Sequence, residues 1–586
     1  MKKVILVVLA AIGAMAILAV TGALMIGLLS VLGEPGVPRR AFLELDLEKL
    51  VIEAVPDDPF GKLMLDDALQ VLDVVDALDQ AANDDRVRAL VAWIGAGRMG
   101  MSHIQEIRDA VARFRASGKP AIAFAETFGE FGPGNGGYYL ASAFDEIYLQ
   151  PTGDIGLTGL RYESPFIRGA LDKLGIVPRM DQRREYKNAM NYYTETEYTE
   201  PHREAMQRLV DSQFEQLVEG VATARGLSTE EVRSLVDRGP FLAQEALDAA
   251  LVDGLAYRDE ISEKVRAAAG ERSVPIGLPA YLSRAGRPNR RGTTVALIQG
   301  YGAIARGSSS YSPWDGSIVM GSKTVASALR DAIDDPRVEA ILFRVDSPGG
   351  SYVACDTIWH ETIRAREAGK PVIVSMGNLA GSAGYYVAMD ANKIVAQPGT
   401  ITASIGVVGG KLVTSGFWEK LGITFDEVAS SANGAMWSSS TDYSEAEYAR
   451  FQDALDWIYD DFTAKVAEGR GLELERVQEI AKGRIWTGAD ALEIGLVDEL
   501  GGFDVALRLT REAIGLDADA PLRLKRFPRP RSTFEMFFQD SDDHQLRAGL
   551  VALSRSLRAV QPLARVLTRI AGPSERGVLT MPEVAP

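Results

Sequence analysis

The run AGSAGYYVAMD (residues 380–390) places Ser382 between Gly381 and Ala383, after the apolar stretch VIVSMG (372–377) and before a helical pattern. A serine in such a strand-to-helix turn is exposed, and the helix start beside it offers free backbone N–H groups and the positive end of the dipole. This setting suits a nucleophile, because the N–H of the next residue, Ala383, can face a developing oxyanion. Serine is equally a common helix N-cap, so the segment alone leaves both roles open. A second glycine-rich piece, RVDSPGGS (344–351), follows another predicted strand. Its Gly349–Gly350 pair lets backbone approach a ligand closely. It lacks the spacing of a phosphate loop, so an oxyanion donor is the better reading.

A nucleophilic serine needs a base. The chain has four histidines (His103, His202, His360, His544), none at metal-ligand spacing, and a single cysteine, Cys355. One cysteine excludes an intrachain disulfide and any Cys-rich metal site. No metal or cofactor is expected. Lysine is then the natural base, provided burial lowers its pKa from about 10.4 to roughly 7–8.

An internal duplication locates that lysine. DDRVRALVAWI (84–94) matches DPRVEAILFRV (335–345), and SGKPAIAFAE (117–126) matches AGKPVIVSMG (368–377). PGNGGYYLASAFDEIYLQPTG (133–153) matches AGSAGYYVAMDANKIVAQPGT (380–400), which aligns Asn135 with Ser382. KLGI recurs at Lys173 and Lys420, and LVDGL at Leu251 is answered by LVDEL at Leu496. Order and spacing are kept throughout, as a repeated unit requires. The first copy has WIGAGRMG (93–100) where the second has RVDSPGGS, so Arg98 and Met99 stand at the Gly–Gly positions. It does contain RREYKNAMNYYTETEY (183–198), whose Lys187 lies 52 residues after Asn135. The same count from Ser382 reaches Gly434 in SANGAMWSS (431–439). Taken alone, Lys187 reads as a solvated surface lysine. Set against the complementary loss of serine, it reads as one member of a dyad split between the copies.

Stepping outward, each copy alternates β-branched runs (ALVAWI, AILFRV, AIAFAE, VIVSMG) with amphipathic helical patterns, which implies parallel βαβ units in an α/β fold. Each then has a long helical stretch, at 199–226 and 444–471. The expected organisation is a first repeat at 41–270, a Pro/Gly/Arg-rich linker at 271–294, a second repeat at 295–515, and a tail at 516–586. That tail carries an amphipathic helical pattern near 545–571. Before the repeats, no charge occurs from Val4 to Gly33 after Met-Lys-Lys. That run exceeds the ~20 residues needed to span a bilayer and the roughly 7–15 apolar residues of a cleaved signal peptide. Residues 1–33 are therefore expected to form a retained transmembrane anchor, with Lys2 and Lys3 inside and the bulk outside; in a bacterium this is the inner membrane and the periplasm. The net charge of −17 over 586 residues argues against a nucleic-acid partner.

The motifs RVDSPGGS, GSAGYY, TASIGVVGG (402–410) and REYKNAMNYYTE (184–195) resemble the long, tandem-repeat form of signal peptide peptidase A (protease IV) over nearly the whole chain. The resemblance implies a tandem Clp protease/crotonase-like module behind one membrane helix. It also implies a Ser–Lys peptidase acting on cleaved signal peptides and related exported peptides, assembled as a homo-oligomer, a tetramer by likeness. Carried over by position, Ser382 is the nucleophile, Lys187 the general base, and the N–H groups of Ala383 and of Gly349 or Gly350 the oxyanion hole. Asp346 stands where many relatives have Asn, and a carboxylate aimed at the oxyanion would slow catalysis. Two other readings share the fold: an acyl-CoA enzyme, which needs no Ser–Lys dyad, and a non-catalytic membrane scaffold, which would dispense with one of its members.

Overall fold

The computed structural model describes residues 36–95 and 99–529 and the short strand Leu579–Thr580. The expected anchor at 1–33, Arg98, and the helical pattern at 545–571 lie outside these residues. Among the described residues no helix is long and apolar enough to cross a membrane.

Two parallel sheets of the same design form the frame. In the first, the strands run in the order Val274–Gly277, Ala41–Leu47, Val87–Ile94, Ala121–Ala125, Glu146–Leu149 and Gly254–Leu255. In the second, the order is Leu522–Phe527, Thr293–Tyr301, Val338–Ser347, Val372–Gly381, Lys393–Ala396 and Glu499–Leu500. These six strands correspond one to one, so the duplication read from sequence is a duplication of topology; the second sheet also takes in Ile401–Ala403 and its antiparallel partner Ile485–Thr487, whereas Asp154–Ile155 and Phe241–Leu242 of the first repeat pair apart from its sheet. Helices cover both faces, and the strands are accordingly continuous apolar runs; Leu90–Ala92 and Ile341–Phe343 are fully buried. The long helices Glu200–Arg225 and Glu445–Arg470 each end at a glycine in the left-handed conformation, Gly226 and Gly471.

The stretch 271–294 is more than the linker expected from its composition. Val274–Gly277 pairs with Ala41–Leu47, and the helix Leu278–Ala285 buries Leu278, Tyr281 and Leu282. Those apolar side chains, set among Pro, Gly and Arg, complete the first repeat's sheet. Likewise Leu522–Phe527 lies beyond the expected end of the second repeat at 515 yet pairs with Thr293–Tyr301. In both copies the closing strand joins the sheet beside the opening strand, a non-local pairing that local patterning does not reveal.

The two repeats are tied together by a buried ionic cluster. Arg344, on the second repeat's strand Val338–Ser347, is 1% exposed. Its guanidinium donates to both carboxylate oxygens of Glu53 at 2.8 and 3.0 Å, to Glu106 Oε2 at 2.8 Å, and to Ser375 Oγ at 2.9 Å. Glu53 and Glu106 come from the first repeat, as does His103, whose Nε2 lies 3.0 Å from Glu53 and 3.5 Å from Asp346. Burial would raise the Glu53 pKa, but Arg344 and His103 overcome it and hold the carboxyl at about 2. Burial likewise opposes charge on His103, and the flanking Asp346 and Glu53 carboxylates raise it to about 9. The cluster touches both strands that lead into the candidate site, Val338–Ser347 and Val372–Gly381.

Removing one partner of such a cluster strands the remaining charges in low dielectric. Arg344→Met should therefore lower the urea midpoint by the equivalent of about 3–5 kcal/mol. The triple variant Glu53→Gln, Glu106→Gln, Arg344→Met should recover most of that loss. A single variant with wild-type stability would show that the cluster does not hold the repeats together.

Candidate active site

Ser382 follows the strand Val372–Gly381 and precedes the short helix Ala383–Tyr386, as the sequence pattern requires. Its backbone sits at φ 55°, ψ −114°, an unusual conformation for a residue other than glycine. Strain of this kind points the side chain out of the turn and is concentrated at functional sites. The serine makes no side-chain cap hydrogen bond, so its hydroxyl does not serve as the N-cap of this helix. Its N–H donates to Ala403 O at 2.6 Å, fastening the turn to the neighbouring strand.

Lys187 reaches Ser382 from the other repeat, within one chain. The strand Val177–Arg183 leaves the first repeat and pairs antiparallel with Val407–Val413 of the second, from Val177↔Val413 to Arg183↔Val407. Four residues later Lys187 is buried, with no exposed surface. Its Nζ is 2.7 Å from Ser382 Oγ, 2.7 Å from Ser404 O and 3.0 Å from Ser404 Oγ. Among the described residues no carboxylate pairs with it, and burial holds its pKa well below the ordinary lysine value. The backbone is pinned as well. Tyr186 N–H donates to Lys482 O at 3.0 Å, and Gly483 lies so close that a Cβ there would sit 2.5 Å from Lys187 N and Cβ.

Counting hydrogens assigns the contacts. A neutral amine has two N–H donors and one lone pair. Ser404 O is a carbonyl and can only accept, so it takes one N–H. Ser404 Oγ takes the second, its own hydroxyl turning toward Gly483 O at 3.4 Å. The lone pair is left for the Ser382 hydroxyl. Such an amine can take the serine proton as the hydroxyl attacks a carbonyl. Ser404 has φ 51°, and its neighbour Ala403 has φ 63°, so the acceptor side of the site is also built on strained backbone. The motif TASIGVVGG carries the family resemblance, but nothing in its local pattern marks Ser404 as a partner of the amine. The duplication could have marked it, since its counterpart is Leu157 in the copy without the serine.

The expected oxyanion donors are partly separated by the geometry. Ala383 occupies the first helical position, where the N–H has no intrahelical acceptor. Gly349 N–H donates to Ser347 Oγ at 3.2 Å. Gly350 pairs with Ile304 in a parallel ladder, and Ser351 N–H donates to Ile304 O at 2.8 Å. Alternation along a strand then turns the N–H and C=O of Gly350 toward the opposite edge. Gly384 brings this loop against the nucleophile turn, for a Cβ there would lie 2.6 Å from Ser347 O. Asp346 is committed elsewhere: its Oδ1 accepts from Leu379 N–H at 3.0 Å and its Oδ2 faces His103.

Asn135, the counterpart of Ser382, is a structural residue. Its Oδ1 accepts from the N–H groups of Thr158 and Gly159 at 3.0 and 3.1 Å, and its Nδ2 donates to Gly159 O at 2.8 Å. The amide thus satisfies loop groups in a place where the second repeat has reactive ones. Among the described residues, Glu53, His103 and Asp346 alone cluster closely enough to ligate a metal, with donor atoms within 4.8 Å. Their carboxylates are already engaged by Arg344 and by Leu379 N–H.

Comparison with known proteins agrees with this geometry. The profile of Peptidase family S49 matches residues 113–272 and 364–517, once in each repeat. "Protease 4" of Salmonella typhi is 33% identical over 75% of this chain and 72% of its own length. "Protease 4" of Haemophilus influenzae is 30% identical over 78% and 75%. "Serine protease SPPA, chloroplastic" of Arabidopsis thaliana is 28% identical over 78% and 67%. The chain belongs to peptidase family S49 and is a serine peptidase.

Proposed function

We propose that Ser382 is the nucleophile and Lys187 its general base, and that the substrates are apolar peptides released at a membrane, cleaved signal peptides foremost. The observation that carries this reading is the 2.7 Å contact between a buried lysine amine and a serine on strained backbone. Neutral Lys187 takes the Ser382 proton as Oγ attacks the scissile carbonyl. The Ala383 and Gly350 N–H groups receive the oxyanion, and the proton passes from Lys187 to the leaving amine. Water then enters and attacks the acyl carbon while Lys187 takes its proton, and Lys187 returns that proton to Ser382 Oγ as the acyl bond breaks. Ser404 holds the amine so that its lone pair faces Ser382.

The edge of Gly349–Gly350, which accepts the extended pair Leu579–Thr580, supports an extended peptide as the substrate form, since a strand edge recognises backbone independently of side chains. The uncharged run at Val4–Gly33 supports membrane anchoring with the peptidase repeats outside. Exposed apolar residues between the site and the long second helix, including Phe425, Val428 and Trp437, support contact with other subunits or a lipid surface.

Ser382→Ala and Lys187→Ala, still folded, should each lower turnover of a labelled signal-peptide fragment by at least about a thousandfold, in the range seen when a unit of coupled catalytic groups is broken. Wild-type turnover in either variant would remove the dyad. Ser404→Ala should lower kcat by about 10- to 100-fold with little change in KM, because it misdirects the lone pair without touching peptide.

The protonation of Lys187 gives a pH test with a defined sign. Its folded pKa is depressed, so the unfolded chain binds the extra proton between the two values. Stability should therefore rise with pH across that window, and kcat/KM should rise over its lower part as the amine becomes neutral. Lys187→Met should be inactive yet melt higher than wild type at neutral pH, an advantage that fades as pH approaches 10.5. A lower melting temperature for Lys187→Met would contradict a strained, neutral lysine.

A further inference from the structure

The strand that delivers Ser382 changes partners on the way. Residues 373–375 pair with Lys393–Ala396, and residues 379–381 pair with Ile401–Ala403. Between them the register against Val338–Ser347 slips from Val345↔Met376 to Ser347↔Ala380, so Gly377, Asn378 and Leu379 stand opposite Asp346 alone. A bulge of this kind re-aims the chain that follows it. Here it steers the strand toward Ala403 and Ser404, the turn that holds the Ser382 N–H and the Lys187 amine. Asp346 fills the bulge: its Oδ1 accepts from Leu379 N–H at 3.0 Å, and a Cβ at Gly377 would lie 2.9 Å from the Asp346 Cβ.

Asn378, in the middle of that bulge, reaches into the first repeat. The helix Met101–Ala116 has Gly100 at its N-cap, with no side chain to take the free N–H groups of its first turn. Asn378 Oδ1 accepts from His103 N–H at 3.1 Å, the third helical position that a capping side chain ordinarily serves. The cap therefore comes from the other repeat. Asn378 Nδ2 lies 2.8 Å from His103 Nδ1, so the same amide orients the ring whose Nε2 faces Glu53 and Asp346. The second repeat shows the ordinary arrangement: Ser351, the counterpart of Gly100, caps its own helix by accepting from Ala354 N–H at 3.4 Å. Gly100 makes room for the foreign cap, since a Cβ there would overlap the Asn378 amide. Thr127, aligned with Asn378, stays within its own repeat, donating to Asp154 and accepting from Glu130 N–H.

We propose that Asn378 is a positioning residue for the dyad: by capping the first repeat's helix from the bulge, it sets the path along which the strand brings Ser382 to Lys187. The proposal rests on the peptidase reading of Ser382 and deepens it by adding a residue that touches neither substrate nor the reacting atoms. Two attachments fix the bulge, Asp346 on the oxyanion side and the helix Met101–Ala116 on the other. Lys187 belongs to the same repeat as that helix, so nucleophile and base are referred to one body. The contact they must keep is 2.7 Å, and a bulge free to shift by about an ångström would break it.

In the full-length chain, Asn378→Ala should lower kcat by about 10- to 100-fold, the cost of a reacting group displaced by about an ångström. KM should stay within about twofold, because peptide does not touch this residue. Loss of the cap should also lower the melting temperature and speed hydrogen exchange at the His103 amide. Gly100→Ser alone should destabilise the chain, because its side chain meets Asn378. The double variant Gly100→Ser, Asn378→Ala has room for a local cap like that of Ser351. It should regain melting temperature and His103 protection while kcat stays low. Recovery of kcat together with stability would reduce Asn378 to a structural cap and overturn the proposal, as would wild-type kcat in Asn378→Ala. A wild-type chain without activity on the labelled signal-peptide fragment would overturn the dyad reading and the positioning role with it, while His103 exchange would still report the cap by itself.

Discussion

The chemistry proposed for this chain depends on keeping one amine uncharged within reach of one hydroxyl. Water would protonate Lys187 at any physiological pH, and a nearby carboxylate would do the same by stabilising the ammonium. The fold supplies neither. The amine is fully buried, its partners are two hydroxyls and a carbonyl, and burial alone sets its pKa. That environment costs stability, and it exists because large surfaces elsewhere are already committed. The parallel sheets, the Val177–Arg183 arm and the Arg344 cluster all hold the lysine where it would not settle by itself.

This requirement explains the division of labour between the repeats. Lys187 arrives on an antiparallel arm from the other repeat, while the edge at Gly350 that faces away from Ile304 pairs with Leu579–Thr580. The first repeat no longer needs a reactive turn, and Asn135 seals the corresponding loop with three hydrogen bonds. In turn the second repeat depends on the first for Glu53, His103 and Glu106 as well as for the base.

Positive-φ backbone recurs at the candidate site as well as in loops elsewhere, at Glu130, Phe131, Ala250 and Asn289. Ser382, Ala403 and Ser404 all have positive φ and lie within the dyad and its immediate support. Each such residue costs of order 1–3 kcal/mol and persists only where its surroundings over-determine it. The 2.6 Å bond from Ser382 N–H to Ala403 O joins two of them, so the nucleophile turn and the turn that orients the amine form one unit. The same unit lies beside the strand Gly349–Gly350, whose edge pairs with the extended residues Leu579–Thr580.

Much of this was legible without coordinates. Apolar β-branched runs alternating with amphipathic stretches specify parallel βαβ units, because both faces of such a sheet must be covered. Repetition of those runs exposed the duplication, and comparison of the copies singled out Ser382 and Lys187 by what each had lost. Other features depended on contacts between distant residues. The closing strands Val274–Gly277 and Leu522–Phe527 looked like linker and tail, since their signal lies in pairing with strands far away in sequence. Ser404 carries no local mark of its role, which arises from where an amine 217 residues away comes to rest. Asp346 could not be judged until Leu379 N–H and His103 were seen to claim its oxygens. Residue types and spacing determined which groups could react. Only the tertiary structure decided how an amine is stripped of water, because desolvation belongs to the surroundings of a side chain and not to the side chain itself.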